Sequence, residues 1–350
     1  MFDYKIFEKV LFVGIDYKIP RGGIARVLNT YSTFIHPFNF VRTAESELNS
    51  IQKVWYAISG YLLLLWKLLT DRKIEIVHIH SASGSSFWRK SYIIKIAKVM
   101  GKKVIFHCHG GGFKDFRLKS PIMVDAILNK VDSVVCLSNE WEEYFKGIGC
   151  KNVVIIKNVI GEPKIEAIEK DGLIHFLFLG LICDNKGIFD ILNTLAEHKR
   201  ELLGKMLLHV GGNGQTNRLI ATIKKLNIGE LVQFEGWVDK EKKQELFNIA
   251  DVYMLPSYIE GVPISILEAE SYHKPIITTK VGGIPSIVKD NKTGLFITPG
   301  NNEEIYRAMK LLIENKELRH QFGEAGYKVS TEYLPKTISK ELRNLYHNIL

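Results

Sequence analysis

Apolar residues along this chain fall into short blocks that alternate between two periods. Residues 10–15 are a continuous apolar run, the pattern of a strand covered on both faces. A loop holding Pro20, Arg21, Gly22 and Gly23 follows. Beyond it Ile24, Val27, Leu28, Tyr31 and Phe34 recur near the helical period and predict a helix over 24–34. Strands are expected over 74–80, 104–109, 133–137 and 153–156, with helices over 91–100 and 122–130 between them. Gly110, Gly111 and Gly112 close the strand at 104–109.

Residues 161–172 are polar, punctuated and weakly periodic, and read as a linker. The alternation then starts afresh. Strands are expected over 174–180, 206–210, 232–234, 252–255 and 276–278, and helices over 189–196, 217–226 and 242–249. Turns at 281–285 and 291–294 precede helices over 305–333 and 338–350, parted by Pro335. Repeated strand–helix alternation argues for parallel sheets with helices on both faces. The expected architecture is α/β: two doubly wound, Rossmann-like domains, 1–160 and 173–334, facing a central cleft. The last helix, 335–350, is expected to pack back on the first domain.

Composition changes this picture in three places. The net charge of +9 is uneven, because residues 1–160 carry 23 Lys and Arg against 13 Asp and Glu, and the remainder 24 against 25. A basic first half points to an anionic partner, such as a membrane surface or a phosphorylated lipid. Nucleic acid is set aside, since no recognised module accompanies the charge. Residues 54–69 are strongly apolar from Tyr61 to Trp66, but Lys67 interrupts a run already short of the ~20 residues of a spanning helix. That stretch reads as a buried or an interfacial helix. With Trp55, Trp66, Trp88 and the basic positions Arg89, Lys90, Lys95, Lys98, Lys102 and Lys103, it favours peripheral attachment. Cys108, Cys136, Cys150 and Cys183 form no CxxC pair, and residues 1–9 show no cleavable leader. A cytoplasmic setting is expected, with these thiols as core filler.

The chemistry concentrates at residues 251–270. An apolar strand breaks at Pro256 and Ser257, turns through Tyr258, Ile259, Glu260 and Gly261, and restarts at Pro263 as a helix. The free N–H groups of a helix start attract anions. Glu260 falls in the turn and Glu268 in the helix. A glycine turn, an anion-binding helix start and two flanking carboxylates suit a sugar bound to a nucleoside diphosphate.

These motifs resemble glycosyltransferase family 4, the retaining enzymes of the GT-B architecture. The stretch 256–263 with Leu267, Glu268 and Ala269 is similar to that family's paired-glutamate motif. Lys274, Pro275, Gly282, Gly283, Thr293 and Gly294 follow at the family's spacing, and Gly180 to Lys186 with Gly187, then Gly211 to Gly214, precede it. Leu181 stands where the family usually has an arginine, leaving one cationic contact missing or supplied elsewhere.

The resemblance implies a role for each candidate residue. Negative charge grows on the departing diphosphate, so cations and N–H dipoles must face it before reaction. Lys186 is the cation. The N–H groups of Gly22, Gly23, Gly261, Val262 and Ile264 around Pro263 are the dipoles. Glu268 accepts from ribose hydroxyls, Glu260 sits by the transferred sugar, His109 faces that sugar, and Trp237 and Val238 lie near the base. No Asp-x-Asp pair is present, and no metal or other cofactor is expected. His78 and His80 share one strand face and His107 and His109 another, and separate roles in a sheet edge and a cleft wall are preferred to a zinc site. The implied reaction is transfer from a nucleoside-diphosphate sugar, UDP before GDP, to a lipid-linked or polysaccharide acceptor hydroxyl at the inner face of a membrane. A sugar-nucleotide epimerase of related fold, or a non-catalytic nucleotide-binding partner, are the alternatives.

Overall fold

The structure is a computed structural model that describes residues 4–18, 22–45, 50–110, 112–169 and 171–350. Pro20, Arg21, Gly111, Lys170 of the expected linker and the first three residues lie outside the described residues. The chain divides into two compact units, residues 1–160 with 333–350, and residues 161–332.

The first unit is built on a parallel sheet whose strands are β1 (Val10–Ile15), β2 (Phe40–Ala44), β3 (Ile76–Ser81), β4 (Lys103–Cys108), β5 (Ser133–Cys136) and β6 (Val153–Ile155). Their order is β2-β1-β3-β4-β5-β6. Side chains alternate across the strands, so the sheet has two differently used faces. Leu11, Val13, Val77, Ile79, Val104 and Phe106 pack with Leu64, Phe87, Ile93 and Val124 from helices Ser50–Thr70, Ser85–Val99 and Pro121–Leu128 in one apolar core. Phe12, His78, His80 and His107 point the other way. Tyr31 of helix Gly23–Phe34 and Tyr346 of helix Pro335–Ile349 meet Phe12 edge-on at 6.0 and 6.4 Å. His78, His80 and His107 therefore occupy the interior of central strands rather than a sheet edge, while His109 follows β4 at its carboxyl end. Lys90, read as part of a basic surface, is also buried, with its ammonium on the Ser86 hydroxyl at 2.8 Å.

Helix Ser50–Thr70 is buried along one face, as the first of the two expected readings has it. Leu64 and Leu68 are buried, and a Cβ on Gly60 would collide with the Arg42 carbonyl, so the helix lies directly against β2. Its opposite face is exposed. No helix among the described residues is long and apolar enough to cross a membrane.

The second unit repeats the plan with β7 (Ile174–Leu179), β8 (Met206–Gly211), β9 (Val232–Gly236), β10 (Val252–Leu255), β11 (Ile276–Thr279) and β12 (Gly294–Ile297), ordered β12-β11-β10-β7-β8-β9. Two strands escaped the sequence pattern, β2 and β12. Both are edge strands, and β2 mixes buried Val41 and Thr43 with exposed Arg42. The helix expected over 305–333 is two, Asn302–Glu314 and Lys316–Ser330, broken where the Asn315 side chain caps the second through the Leu318 N–H at 2.8 Å. Residues around 164–166 are held on this unit, where Asn248 accepts from the Glu166 N–H at 3.0 Å and donates to the Lys164 carbonyl at 2.9 Å. Cys108, Cys136 and Cys150 are buried, but Cys183 is partly exposed and is not core filler.

Candidate functional site

In the second sheet β7 is flanked by β8 on one side and β10 on the other, so the strand order reverses between β7 and β10. Loops leaving the carboxyl ends of two such strands part to opposite faces and open a crevice, the usual ligand position in an open α/β sheet. The loop after β7 carries Gly180 to Gly187, and the loop after β10 carries residues 256–263. The two best-matched motifs are thus spatial neighbours.

Glycines let these loops touch. Gly187 has φ +70°, and a Cβ there would run into the Pro256 carbonyl. Tyr258 donates its N–H to the Asn185 carbonyl at 2.9 Å across the same contact. On the other side Gly282, φ +53°, presses against the Glu260 carbonyl, and the Gly283 N–H donates to the Gly261 carbonyl at 2.7 Å. The Glu260 loop is therefore clamped between two glycine turns.

The clamp brings charges together. Lys186 Nζ lies 2.5 Å from Glu260 Oε1, which also accepts from the Ser257 hydroxyl at 2.8 Å. Glu260 is nearly buried, at 8% side-chain exposure against 25% for Lys186. Pro263 stands just before helix Ile264–Ser271 rather than as its first residue, since its ψ of 116° is extended. Glu268, on that helix, pairs through Oε1 with Lys243. Its Oε2 is buried with no hydrogen-bond partner among the described residues, although a buried carboxylate oxygen normally has one. Beneath both lies Tyr253, which donates to the Leu179 carbonyl at 3.0 Å. Burial first, then the Glu260 and Glu268 carboxylates, push its hydroxyl pKa up.

Two further loops complete this end of the sheet. Gly211 to Gly214 zip against the Gly180 loop, with the Ile182 N–H on the Asn213 carbonyl at 2.7 Å. Trp237, 53% exposed, and Val238 follow β9, and Val238 packs where a Cβ on Gly211 would sit. Leu181, at the position of the family's arginine, packs by Gly214. Sequence reasoning missed two cations here. Lys243 sits on helix Lys240–Ile249, and Arg218 binds Asp184 Oδ2 at 2.7 Å in the Lys186 loop. Neither had a local signal, because each partner comes from another element.

The remaining candidates belong to the first unit. Gly22, φ +86°, precedes helix Gly23–Phe34 at the end of the β1 loop. His109 follows β4, and its Nε2 meets His80 Nδ1 at 2.9 Å. In a second layer Tyr346 Oη meets His78 Nδ1 at 2.7 Å, and His78 Nε2 meets His107 Nδ1 at 3.2 Å. The layers stack, with ring centroids 4.6 Å apart for His78 and His80 and 4.1 Å for His107 and His109. Burial pushes His78 and His109 down to about 3 and His80 and His107 well below their usual value, so all four are neutral imidazoles. His78, His80 and His107 each offer a nitrogen within 4.8 Å of the others, close enough to hold a metal ion. Both His78 nitrogens are already hydrogen-bonded, so an ion ligated by all three would displace a bond to Tyr346 or His107.

Residues 162–329 match the glycosyl transferases group 1 family, and residues 29–161 match Glycosyltransferase Family 4. The chain is a glycosyltransferase family 4-like protein. An uncharacterised 41.2 kDa protein of the cps region of Klebsiella pneumoniae is 25% identical, covering 89% of this chain and 94% of that protein. The lipopolysaccharide core biosynthesis glycosyltransferase LpsE of Rhizobium meliloti is 24% identical over 62% of this chain and 64% of its own. Among solved structures, Anabaena HepE in complex with UDP superposes with a TM-score of 0.76 at 14% identity, over 97% of this chain and 100% of that one. Sucrose-phosphate synthase from Thermosynechococcus elongatus gives 0.75 at 15% identity, over 97% and 99%. The fold of this family 4-like chain is GT-B.

Proposed function

We propose that this protein transfers a sugar, with retention at the anomeric carbon, from a UDP-sugar to a hydroxyl of a lipid-linked or polysaccharide acceptor in cell-surface glycan assembly. The observation that carries this is the charged cluster at the switch point of the second sheet. Lys186 and Ser257 converge on Glu260, next to a helix whose Glu268 keeps one buried oxygen unpartnered. A nucleoside-diphosphate sugar fits that set. A ribose hydroxyl donates to Glu268 Oε2, the diphosphate draws Lys186 and the N–H groups of Gly261, Val262 and Ile264, and the sugar lies by Glu260. HepE, a structural neighbour, has been solved with UDP and with UDP-glucose, and LpsE acts in lipopolysaccharide core biosynthesis. Both support the reading.

As the bond to phosphate breaks, charge develops on the diphosphate and Lys186 stabilises it without reorganisation. The leaving phosphate assists attack by the acceptor hydroxyl on the same face. Glu260 balances the positive character of the ring. We assign His109, Gly22 and Gly23 to the donor by family resemblance, Trp237 and Val238 to the base, and no metal to the reaction. With a lipid-linked acceptor, the reading puts the reaction in the cytoplasm at the inner face of a membrane. Incubation with UDP- and GDP-sugars should show donor turnover that is lost in Lys186→Ala and Glu260→Ala. Equal rates in wild type and both variants would overturn the site.

A further inference from the structure

We infer that the outer face of helix Ser50–Thr70 is a docking surface for an anionic lipid bilayer, inserted at the headgroup level and lying in the membrane plane. The inference rests on the proposed lipid-linked acceptor for its purpose, but its evidence is separate. Trp55, Ile58, Leu62, Trp66 and Leu69 are 43–69% exposed. Their spacing of three, four, four and three residues puts them on one side of a helix. Monomeric proteins rarely leave so long a run of large apolar side chains in water. The opposite side is anchored, by buried Leu64 and Leu68 and by the Tyr61 hydroxyl donating to the Arg89 carbonyl at 2.5 Å. Among the described residues, the exposed stripe therefore has no core of its own unit left to join.

Charge decides the occupant. The helix contains no Asp or Glu, and neither does helix Ser85–Val99, whose Tyr92 and Lys95 are exposed. Arg42 lies over the Tyr56 ring at 4.3 Å and 3.8 Å from Asp16, and at the carboxyl-terminal end Lys67, Arg72 and Lys73 outnumber Asp71. A second copy docking through this stripe would find no acidic partner for the neighbouring cations on either helix. An anionic bilayer accepts the apolar stripe and the basic flank together, and tryptophans at two points favour the interface. The helix is too weakly apolar to span.

The test uses the full chain and vesicles of phosphatidylcholine with or without phosphatidylglycerol. Co-flotation is expected with the anionic vesicles, weakened by salt, and quenching of tryptophan emission by lipids brominated near the headgroup. Leu62→Gln/Trp66→Gln should weaken flotation by about ten-fold or more, given the apolar area withdrawn. The same variant should keep the wild-type melting temperature and the same UDP-induced thermal shift, because both positions are exposed and outside the second unit. Failure of wild type to float, flotation unchanged in the variant, or a concentration-dependent dimer that the variant abolishes would each overturn the inference. Loss of the UDP shift in wild type would instead count against the proposed function and leave flotation to be judged by itself.

Discussion

Lys186 Nζ and Glu260 Oε1 lie 2.5 Å apart although 74 residues separate them in the chain. Each arrives on a loop at the carboxyl end of a strand, and those strands, β7 and β10, are hydrogen-bonded neighbours. In the proposed function the pair supplies the cation for the diphosphate and the anion for the sugar. Replacing Lys186 by Met, or Glu260 by Gln, should lower donor turnover by about 10²–10³-fold, the size of effect seen when a preorganised charge-stabilising group is removed. Nucleotide release from a UDP-sugar, measured beside a thermal melt, separates this from a stability role, which would shift the melt and spare the rate.

Lys243 holds one oxygen of Glu268, and the other is buried with no hydrogen-bond partner among the described residues, where the proposed function puts a ribose hydroxyl. Without the ammonium, that carboxylate loses both its orientation and its charge partner. Lys243→Met should therefore weaken UDP binding by about ten-fold, the range of one charge-assisted hydrogen bond. Glu268→Ala should weaken it at least as much. Calorimetric titration with UDP reads both, and unchanged affinity in both would remove Glu268 from the nucleotide site.

The four stacked histidines should make the protein sensitive to mild acid. His78 and His109 sit at about 3 and His80 and His107 well below 6.5, because burial penalises the imidazolium. Below about 6.5 the unfolded chain binds protons that the folded chain refuses. Stability is thus complete above that value and is lost as pH falls, the slope growing toward one proton per buried histidine. Urea melts between pH 7.5 and 5 should show the slope, and His80→Asn should reduce it by about one proton. The same substitution removes the partner of His109 Nε2, so it also tests whether that ring's orientation matters for turnover.

Gly282→Ala tests the clamp on the Glu260 loop. At φ +53°, with the Glu260 carbonyl where a Cβ would go, alanine is both strained and obstructed. The expected loss is about 1–3 kcal/mol of stability, accompanied by reduced turnover because the backbone that must yield carries Glu260. A melt lowered without any change in turnover would show that the clamp is structural.

How much of this was legible beforehand varies by residue. β1 and β10 match the apolar runs at 10–15 and 252–255 because both of their faces are buried, which leaves no polar position to blur the pattern. β2 did not read as a strand because an edge strand needs less apolar surface, and β12 because its apolar run of three residues directly follows the turn at 291–294. Glu260, Glu268 and Lys186 were legible as loop and helix positions, since turn glycines and a helix start have local signatures. The pairing of Lys186 with Glu260, and of Lys243 with Glu268, had none. Lys90 looked like one more surface cation, and its burial follows from how helix Ser85–Val99 is rotated against the sheet.

The sequence by itself determined the alternation of strands and helices, the motif order that marks a family 4-like chain, and the loops that carry its candidate chemistry. These follow from periods and turn residues acting over a few positions. The tertiary structure decided which loops became neighbours, which carboxylate oxygen stayed unpartnered, that four histidines stack beneath Tyr346, and which face of helix Ser50–Thr70 remained in water. Those outcomes depend on strand order and helix rotation, which are settled by packing between residues far apart in the chain.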